Sequence, residues 1–257
     1  MKIGAMNNPK ENPAGWVMWV GKNHFDFIDF TVEPTAVMPD QIDVPGIKRL
    51  LKKHKLGIVG HMGDWRLAKE SLYESLRDVS RMEMLRAIRM HKKLGAKKVT
   101  VHAPDIVEIK FNKIYPIYKS LVGDLLKEAK KQGIKLMLEN SYNTKDHVRL
   151  IDALMRDYPQ LGLHIDVGHA NLRVKKNMTF RYLKKYGKRI IHFHFSDNRG
   201  REDDHKQLGA GKIPWIKIII AIKKAGYDGT ITCETFRSGK SGTIRSMKKL
   251  RKMWETC

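Results

Sequence analysis

Short apolar runs alternate with longer helical patterns along this 257-residue sequence. Each of eight runs of strand length precedes a segment in which apolar residues recur every three or four positions, which is the period of an amphipathic helix. The predicted strands are Lys2–Met6, Phe25–Thr31, Leu56–His61, Lys97–His102, Ile134–Glu139, Leu161–Asp166, Arg189–Phe195 and Gly229–Thr235. The predicted helices are Pro13–Lys22, Pro45–Lys55, Leu67–Leu94, Asn112–Gln132, Thr144–Asp157, Thr179–Tyr186, Pro214–Ala225 and Gly239–Glu255.

Glycines follow four of these helices. Gly95, Gly133, Gly187 and Gly226 each precede the next strand by one to three residues, where a left-handed residue ends a helix. Eight strand and helix pairs predict an α/β fold, a (β/α)₈ barrel that forms a single domain over residues 1–257. The alternative is a doubly wound open sheet, but no G-x-G-x-x-G turn follows the first strand.

Basic residues outnumber acidic ones by 50 to 27, which gives a formal net charge of +23. This charge suits a polyanionic partner, but lysines on solvated helix faces of a heat-adapted protein would give the same total. Cys233 and Cys257 do not suggest a disulfide scaffold. No targeting segment or membrane span is evident, and nothing indicates an obligate protein partner, so we expect a cytoplasmic protein.

Ligand-type side chains stand at the ends of the last six strands, and barrel enzymes place their chemistry at this end. Imidazoles and carboxylates together suit zinc, manganese or iron, which predicts a metal site. The candidate ligands are His61, His102, Glu139, Asp166, His169, His194, Asp203, His205 and Glu234.

Other polar residues have different predicted roles. His164 and His192 each lie two residues before a candidate ligand, so they should point into the barrel one layer lower and orient that ligand. Asp197 is expected to contact either a ligand or the substrate. Two further predictions concern the helices: a core stripe on the third helix (Leu72, Leu76, Val79, Met82, Leu85, Ile88 and Met90), and exposure of His24, His54, His91 and His147.

Three motifs resemble those of the xylose-isomerase-like barrels, a superfamily that includes the endonuclease IV type of abasic-site endonuclease. They are Asp166-Val-Gly-His169, His194-Phe-Ser-Asp197 and the stretch from Asp203 to Gly211. Sugar isomerases and epimerases of this superfamily typically bind one metal, and the resemblance implies Glu139, Asp166, His194 and Glu234 as its ligands. Endonuclease IV resembles this pattern with three zincs. The resemblance then implies three sites: His61, His102 and Glu139; Glu139, Asp166, His194 and Glu234; and His169, Asp203 and His205.

The first quarter of the chain departs from the endonuclease pattern. The second strand, FDFIDFTVEP, closes with Glu33 and is more similar to the start of a sugar isomerase. His61 is followed by Met62-Gly63-Asp64-Trp65, where the nuclease pattern has Ala-Pro and then an aromatic residue. Trp65 is a candidate substrate contact because its ring could stack on a base or a sugar.

Two enzymatic hypotheses follow. The first is a phosphodiester hydrolase that cleaves DNA at abasic sites with up to three Zn²⁺ ions. The alternative is an isomerase or epimerase of a sugar or small phosphorylated sugar, with one Mn²⁺ or Mg²⁺ and with Glu139 and Glu234 as the catalytic groups that pass a proton between carbons. A non-catalytic barrel that binds nucleic acid on its basic face is the third possibility.

Overall fold

The computed structural model describes residues 1–33, 36–64, 67–105, 108 and 110–257. Eight parallel strands in chain order close into a barrel in which β1 pairs with β8, so the predicted (β/α)₈ fold is confirmed. The strands are β1 (Lys2–Met6), β2 (Phe27–Val32), β3 (Gly57–Met62), β4 (Lys98–His102), β5 (Lys135–Glu139), β6 (Gly162–Asp166), β7 (Ile190–Phe195) and β8 (Thr230–Cys233). The helices are α1 (Pro13–Lys22), α2 (Val44–Lys53), α3 (Glu74–Leu94), α4 (Phe111–Gln132), α5 (Lys145–Asp157), α6 (Thr179–Tyr186), α7 (Trp215–Lys224) and α8 (Gly239–Thr256).

Helix α3 begins later than predicted, at Glu74 and not at Leu67. The segment before it carries Lys69, whose ammonium is buried 3.6 Å from the carboxylates of both Asp64 and Glu70. These ion pairs hold the chain against the end of β3, so the first residues of the apolar pattern form part of a loop.

The first half of the predicted stripe on α3 is exposed, so that part of the prediction was wrong. Leu72 lies in the loop before α3 and is 83% exposed. Within α3, Leu76 is 47% exposed and Val79 is 60% exposed, whereas Met84 and Ile88 are buried. Length explains the difference along the helix. A helix of 21 residues is about 30 Å long, and a strand of six residues is about 20 Å long. The N-terminal turns of α3 therefore extend past the end of the barrel.

Three of the four predicted left-handed glycines have positive φ. Gly95 is at 99°, Gly133 at 64° and Gly226 at 73°. Gly187 is an exception, because its φ of −45° is helical and it opens a short 3₁₀ turn, Gly187–Arg189. There the chain enters β7 through a further turn of helix, and a left-handed residue is not needed.

Strand side chains face the barrel interior and the helices alternately. A small apolar cluster of Phe27, Val59 and Met137 forms one part of the core, while the main cluster packs strands against helices. The expected pairing of β6 with β7 sets His164 opposite His192 and Asp166 opposite His194. Because every second side chain of a strand faces the interior, the imidazoles and carboxylates of these strands lie there in successive layers.

Two histidines predicted to be exposed are buried. His91 lies under β3, where its ring contacts the carbonyl oxygens of Ala87 at 2.8 Å and Phe30 at 2.9 Å. The Nδ1 atom of His147 lies 2.6 Å from the Oγ1 atom of Thr144, the N-cap of α5. These partners compensate for burial of a polar ring. His24 is exposed and His54 is half-buried. Among the described helices, none has the length and apolar content of a membrane span.

Candidate metal centre

The nine candidate ligands gather at the carboxyl ends of the strands in three groups. In each group the ligand atoms lie within 4.8 Å of one another. The groups match the three sites that the sequence resemblance implied, with Glu139 shared by two of them. We name them the buried cluster (Glu139, Asp166, His194 and Glu234), the histidine pair (His61 and His102, beside Glu139) and the loop cluster (His169, Asp203 and His205).

The buried cluster is almost completely shielded from solvent, and Glu234 is its most exposed member at 8%. His194 Nδ1 lies 2.9 Å from Glu234 Oε2 and 3.8 Å from Glu139 Oε1. Asp166 is fully buried, and its Oδ2 atom has no hydrogen-bond partner among the described residues. A buried carboxylate oxygen without a donor is costly unless a cation balances it. The donor set of three carboxylates and one imidazole therefore fits a divalent metal ion.

Electrostatics in the buried cluster lead to the same inference. Burial raises the pKa of Glu139 to about 7 and that of Asp166 to about 6, since carboxylates crowd together away from water. Burial opposes ionisation of Glu234, but the imidazoles of His194 and His205 outweigh it and hold the pKa of Glu234 well below its usual range. The cluster concentrates negative charge that protons or a bound cation must balance.

The histidine pair sits beside this cluster. His61 Nε2 and His102 Nε2 are 3.0 Å apart, and His102 Nε2 lies 3.4 Å from Glu139 Oε2. Asp64 contacts the Nδ1 atom of His102 and accepts its backbone N–H. Burial lowers the pKa of His61 to about 3, while Asp64 and Glu139 overcome the burial of His102 and raise its pKa to about 9. A carboxylate behind an imidazole is a common way to orient a metal ligand, and sequence reasoning had not assigned this role to Asp64.

The loop cluster is more open. Asp203 Oδ2 lies 3.1 Å from His169 Nε2 and 2.7 Å from His205 Nε2. The three side chains are 18% to 30% exposed. His169 is anchored to the buried cluster, because its backbone N–H donates to Asp166 Oδ1 at 2.7 Å. His205 has a φ of 41°, a left-handed value that is uncommon for a residue with a side chain.

A polar layer lies below the buried cluster. His164 Nδ1 is 3.2 Å from Glu139 Oε2, and His192 Nε2 is 2.9 Å from Asp29 Oδ2. Asp29 was missed by the sequence analysis. Its signal was an acidic residue in the middle of the apolar strand FIDFTV, at an interior position between Phe27 and Thr31. Only a specific partner makes such a position tolerable.

Of the two predicted substrate contacts, Asp197 and Trp65, the structure describes only Asp197. Asp197 is fully buried and holds the loop after β7: it accepts from the N–H groups of Gly209 at 2.7 Å and Ile213 at 3.3 Å, and from Trp215 Nε1 at 2.8 Å. These bonds use the carboxylate within the loop, which corrects the expectation that it contacts substrate. Trp65 lies outside the described residues.

Members of all three groups line one cavity of about 650 Å³. Its wall includes Glu33 from the end of β2, Trp16 from α1, Phe236 after β8 and Lys240 near the start of α8. Cavities of this size, with an apolar wall and a few convergent polar groups, are typical of sites for small molecules.

A closed eight-stranded barrel with ligand-type residues at the carboxyl ends of its strands defines the class of protein. The chain belongs to the xylose isomerase-like TIM barrel family, whose model matches residues 19–253. It is 28% identical over 225 residues to the uncharacterized protein MJ1311 of Methanocaldococcus jannaschii, covering 84% of this chain and 76% of the relative.

Several solved structures of similar fold are named as sugar epimerases or as epimerase-like. A D-tagatose 3-epimerase-like protein matches with a TM-score of 0.84 and 25% identity, covering 100% of this chain and 98% of the other. An L-ribulose 3-epimerase matches with a TM-score of 0.82 and 16% identity, covering 99% and 95%. The D-allulose 3-epimerase from Methylomonas sp. has a TM-score of 0.79 and 17% identity, covering 98% of each chain.

Proposed function

We propose that this protein is a divalent-metal-dependent epimerase or isomerase of a small sugar or sugar phosphate. The observation that carries the proposal is the buried cluster, in which the two glutamates Glu139 and Glu234 line a cavity of small-molecule size and are grouped with Asp166 and His194. The likeness to a D-tagatose 3-epimerase-like protein supports the same reaction class. This replaces the phosphodiester hydrolase as our leading hypothesis, because none of the similar structures described above is named as a nuclease.

The two glutamates are suited to moving a proton. Glu139 ends β5 and Glu234 follows β8, so their carboxylates reach the cavity from strands three positions apart around the barrel. One carboxylate can take the proton from the carbon next to a substrate carbonyl while the other returns a proton to that carbon from another side. A bound divalent cation would polarise the carbonyl as a Lewis acid. Asp166 and His194 would hold the cation with these glutamates.

The donor set favours Mn²⁺ or Mg²⁺ over Zn²⁺ as our proposal for the metal. Three of the four groups are carboxylates, which suit magnesium and manganese, and only His194 is an imidazole. A single cation at the buried cluster is sufficient for the proton transfer described above.

Part of the basic charge lies away from this cavity. Helices of a (β/α)₈ barrel run back from the carboxyl ends of the strands, so their C-termini lie at the opposite end of the barrel from the site. Five helices carry a lysine pair in the last turn, where cations stabilise the helix dipole. These pairs are Lys52 and Lys53, Lys92 and Lys93, Lys130 and Lys131, Lys184 and Lys185, and Lys223 and Lys224. This placement supports a structural role for part of the net charge.

The test is solvent exchange at carbon. We expect the protein loaded with Mn²⁺ to convert at least one member of a panel of ketopentoses, ketohexoses and their phosphates, with deuterium from D₂O entering next to the carbonyl. Glu139→Gln and Glu234→Gln should each lower the rate by about 100-fold or more, the usual contribution of a general acid or base. Cleavage of an abasic-site duplex without exchange in any sugar of the panel would overturn the proposal and favour the hydrolase.

A further inference from the structure

A chain of hydrogen bonds crosses the barrel interior under the buried cluster. It begins at Lys98 on β4, near the amino ends of the strands, and ends at the candidate ligand His194 on β7. We name it the interior chain, and its members in order are Lys98, Thr230, His192, Asp29 and His194. Asp29, His192 and His194 are fully buried, so the described part of the barrel must supply their partners.

The lysine sets the direction of the interior chain. An ammonium group can only donate, and Lys98 donates to Thr230 Oγ1 and to the carbonyl oxygen of Ile191 at 2.6 Å. The hydroxyl hydrogen of Thr230 is then free to donate to His192 Nδ1, 2.7 Å away. With Nδ1 as an acceptor, neutral His192 carries its hydrogen on Nε2 and donates it to Asp29 Oδ2 at 2.9 Å.

Asp29 determines which ring nitrogen of His194 carries the hydrogen. Its Oδ2 atom accepts from three donors: His192 Nε2 at 2.9 Å, His194 Nε2 at 2.8 Å and Thr232 Oγ1 at 2.8 Å. A carboxylate oxygen facing three donors accepts from each of them, so the hydrogen of His194 belongs on Nε2. The Nδ1 atom of His194 lies 2.9 Å from Glu234 Oε2 and is the ring nitrogen that faces the buried cluster, where it would offer its lone pair to a bound cation.

We infer that Asp29 is the positioning residue of the metal centre: it holds the ring and the tautomer of His194 so that Nδ1 can bind a divalent cation. The inference rests on the proposed function only for the presence of that cation. Carboxylates that hydrogen-bond to a ligating imidazole from behind orient it and raise its basicity. Asp29 would act on Nε2 of His194 from the middle of β2, as Asp64, after β3, is placed to act on Nδ1 of His102.

Asp29→Asn is the direct test, because the side chain keeps its size and the amide oxygen can take the place of Oδ2, but the negative charge that strengthens the hydrogen bond from His194 is lost. The amide NH₂ then takes the place of Oδ1, which has no hydrogen-bond partner among the described residues. We expect the affinity of the metal-free protein for Mn²⁺, measured by calorimetric titration, to fall by about 10- to 100-fold. The Nε2–H proton resonance of His194 in ¹⁵N-histidine-labelled, Mg²⁺-loaded protein should move upfield, with assignment by comparison with His194→Gln.

Two further variants separate positioning from folding. Asp152→Asn makes the same change on α5, where the carboxylate pairs with Arg181, Lys185 and Tyr186, and its Mn²⁺ affinity should equal that of the unmodified protein. If Asp29→Asn does not fold, Thr230→Val removes only the hydroxyl that joins Lys98 to His192. It should weaken Mn²⁺ binding by a smaller factor and shift the same His194 resonance.

The inference would be overturned if a folded Asp29→Asn protein bound Mn²⁺ with unchanged affinity. If only Thr230→Val folds, unchanged Mn²⁺ affinity together with an unchanged His194 resonance would overturn it. Asp29 would then serve only packing. Neither measurement uses a sugar, so a protein that epimerises nothing but loses metal affinity in Asp29→Asn would contradict the proposed function alone. Recovery of kcat at saturating Mn²⁺ is expected for a positioning residue.

Discussion

The buried cluster and the loop cluster contain similar residue types but are built differently. The buried cluster stands on β5, β6, β7 and the end of β8, and its members are at most 10% exposed. In the loop cluster, Asp203 and His205 lie on the segment after β7, and the side chains are 18% to 30% exposed. A bound cation should stabilise the buried cluster more than the loop cluster, because rigid strands hold the buried ligands in place and their charges interact away from water. The same ligand chemistry therefore predicts one strong metal site and one weaker polar group beside it.

The largest effect should come from Asp166→Asn. Asp166 contributes a buried oxygen with no hydrogen-bond partner among the described residues, and the neutral amide removes the charge that a cation would balance. We expect Mn²⁺ affinity to fall at least about 100-fold, the upper range seen even for groups that only contact a ligand, and sugar exchange to be lost. Calorimetric titration measures the Mn²⁺ affinity, and deuterium incorporation measures the sugar exchange. A variant that binds Mn²⁺ normally would show that the buried cluster is not the strong site.

Metal should stabilise the fold through the buried cluster. At a free Mn²⁺ concentration 100 times the dissociation constant, linkage gives about 2.7 kcal/mol of additional stability. For a chain of this size we expect Tm to rise by about 5–10 °C in a thermal melt. The increase should be absent in Asp166→Asn but present in Asp203→Asn. If the Mn²⁺-dependent rise in Tm were lost equally in both variants, the distinction between the buried cluster and the loop cluster would be wrong.

The buried ammonium of Lys98, beneath the buried cluster, should lower the free energy of unfolding by an amount that depends on pH. Burial lowers the pKa of Lys98 to about 8, from 10.5 in the unfolded chain. The unfolded state therefore binds more protons between pH 8 and 10.5, and stability should rise with pH in that window. Below pH 8 the full cost of the buried ammonium is present.

The variant Lys98→Met removes this cost along with two hydrogen bonds. Replacing a buried charge with an apolar side chain of similar volume is often neutral or stabilising, here by up to about 3 kcal/mol at pH 7. Urea unfolding at pH 7 and at pH 10 should show the advantage of the variant shrinking as pH rises. An advantage that grows with pH would contradict this assignment for Lys98.

The smallest effect is expected from His205→Ala in the loop cluster. If one cation at the buried cluster is sufficient, the rate of sugar exchange should stay within about tenfold of that of the unmodified protein, which is about 1.4 kcal/mol. Metal content, measured by elemental analysis of protein purified without chelator, should remain close to one ion per chain. If His205→Ala lost as much sugar exchange as Asp166→Asn, and the unmodified protein contained three zincs, the two clusters would be equally important. That result would favour the hydrolase.

Much of the fold was predictable because the barrel repeats one local pattern. Strand and helix periods, together with glycines such as Gly95 and Gly133, predicted eight units, and the rim residues followed from knowing where strands end. The errors lay where context overrides local pattern. Leu76 and Val79 continue a helical stripe, yet α3 extends past the barrel that would have covered them.

The sequence by itself determined the barrel and the set of residues that its rim would gather, because periodicity and strand ends are local properties. The family resemblance implied how those residues group into sites, but only the tertiary structure decided which side chains support them from below. Asp29 and His194 are 165 residues apart in the chain, yet 2.8 Å separates their hydrogen-bonded atoms. Closure of the barrel brings β2 and β7 to the same interior layer, and no local pattern in either strand encodes that meeting.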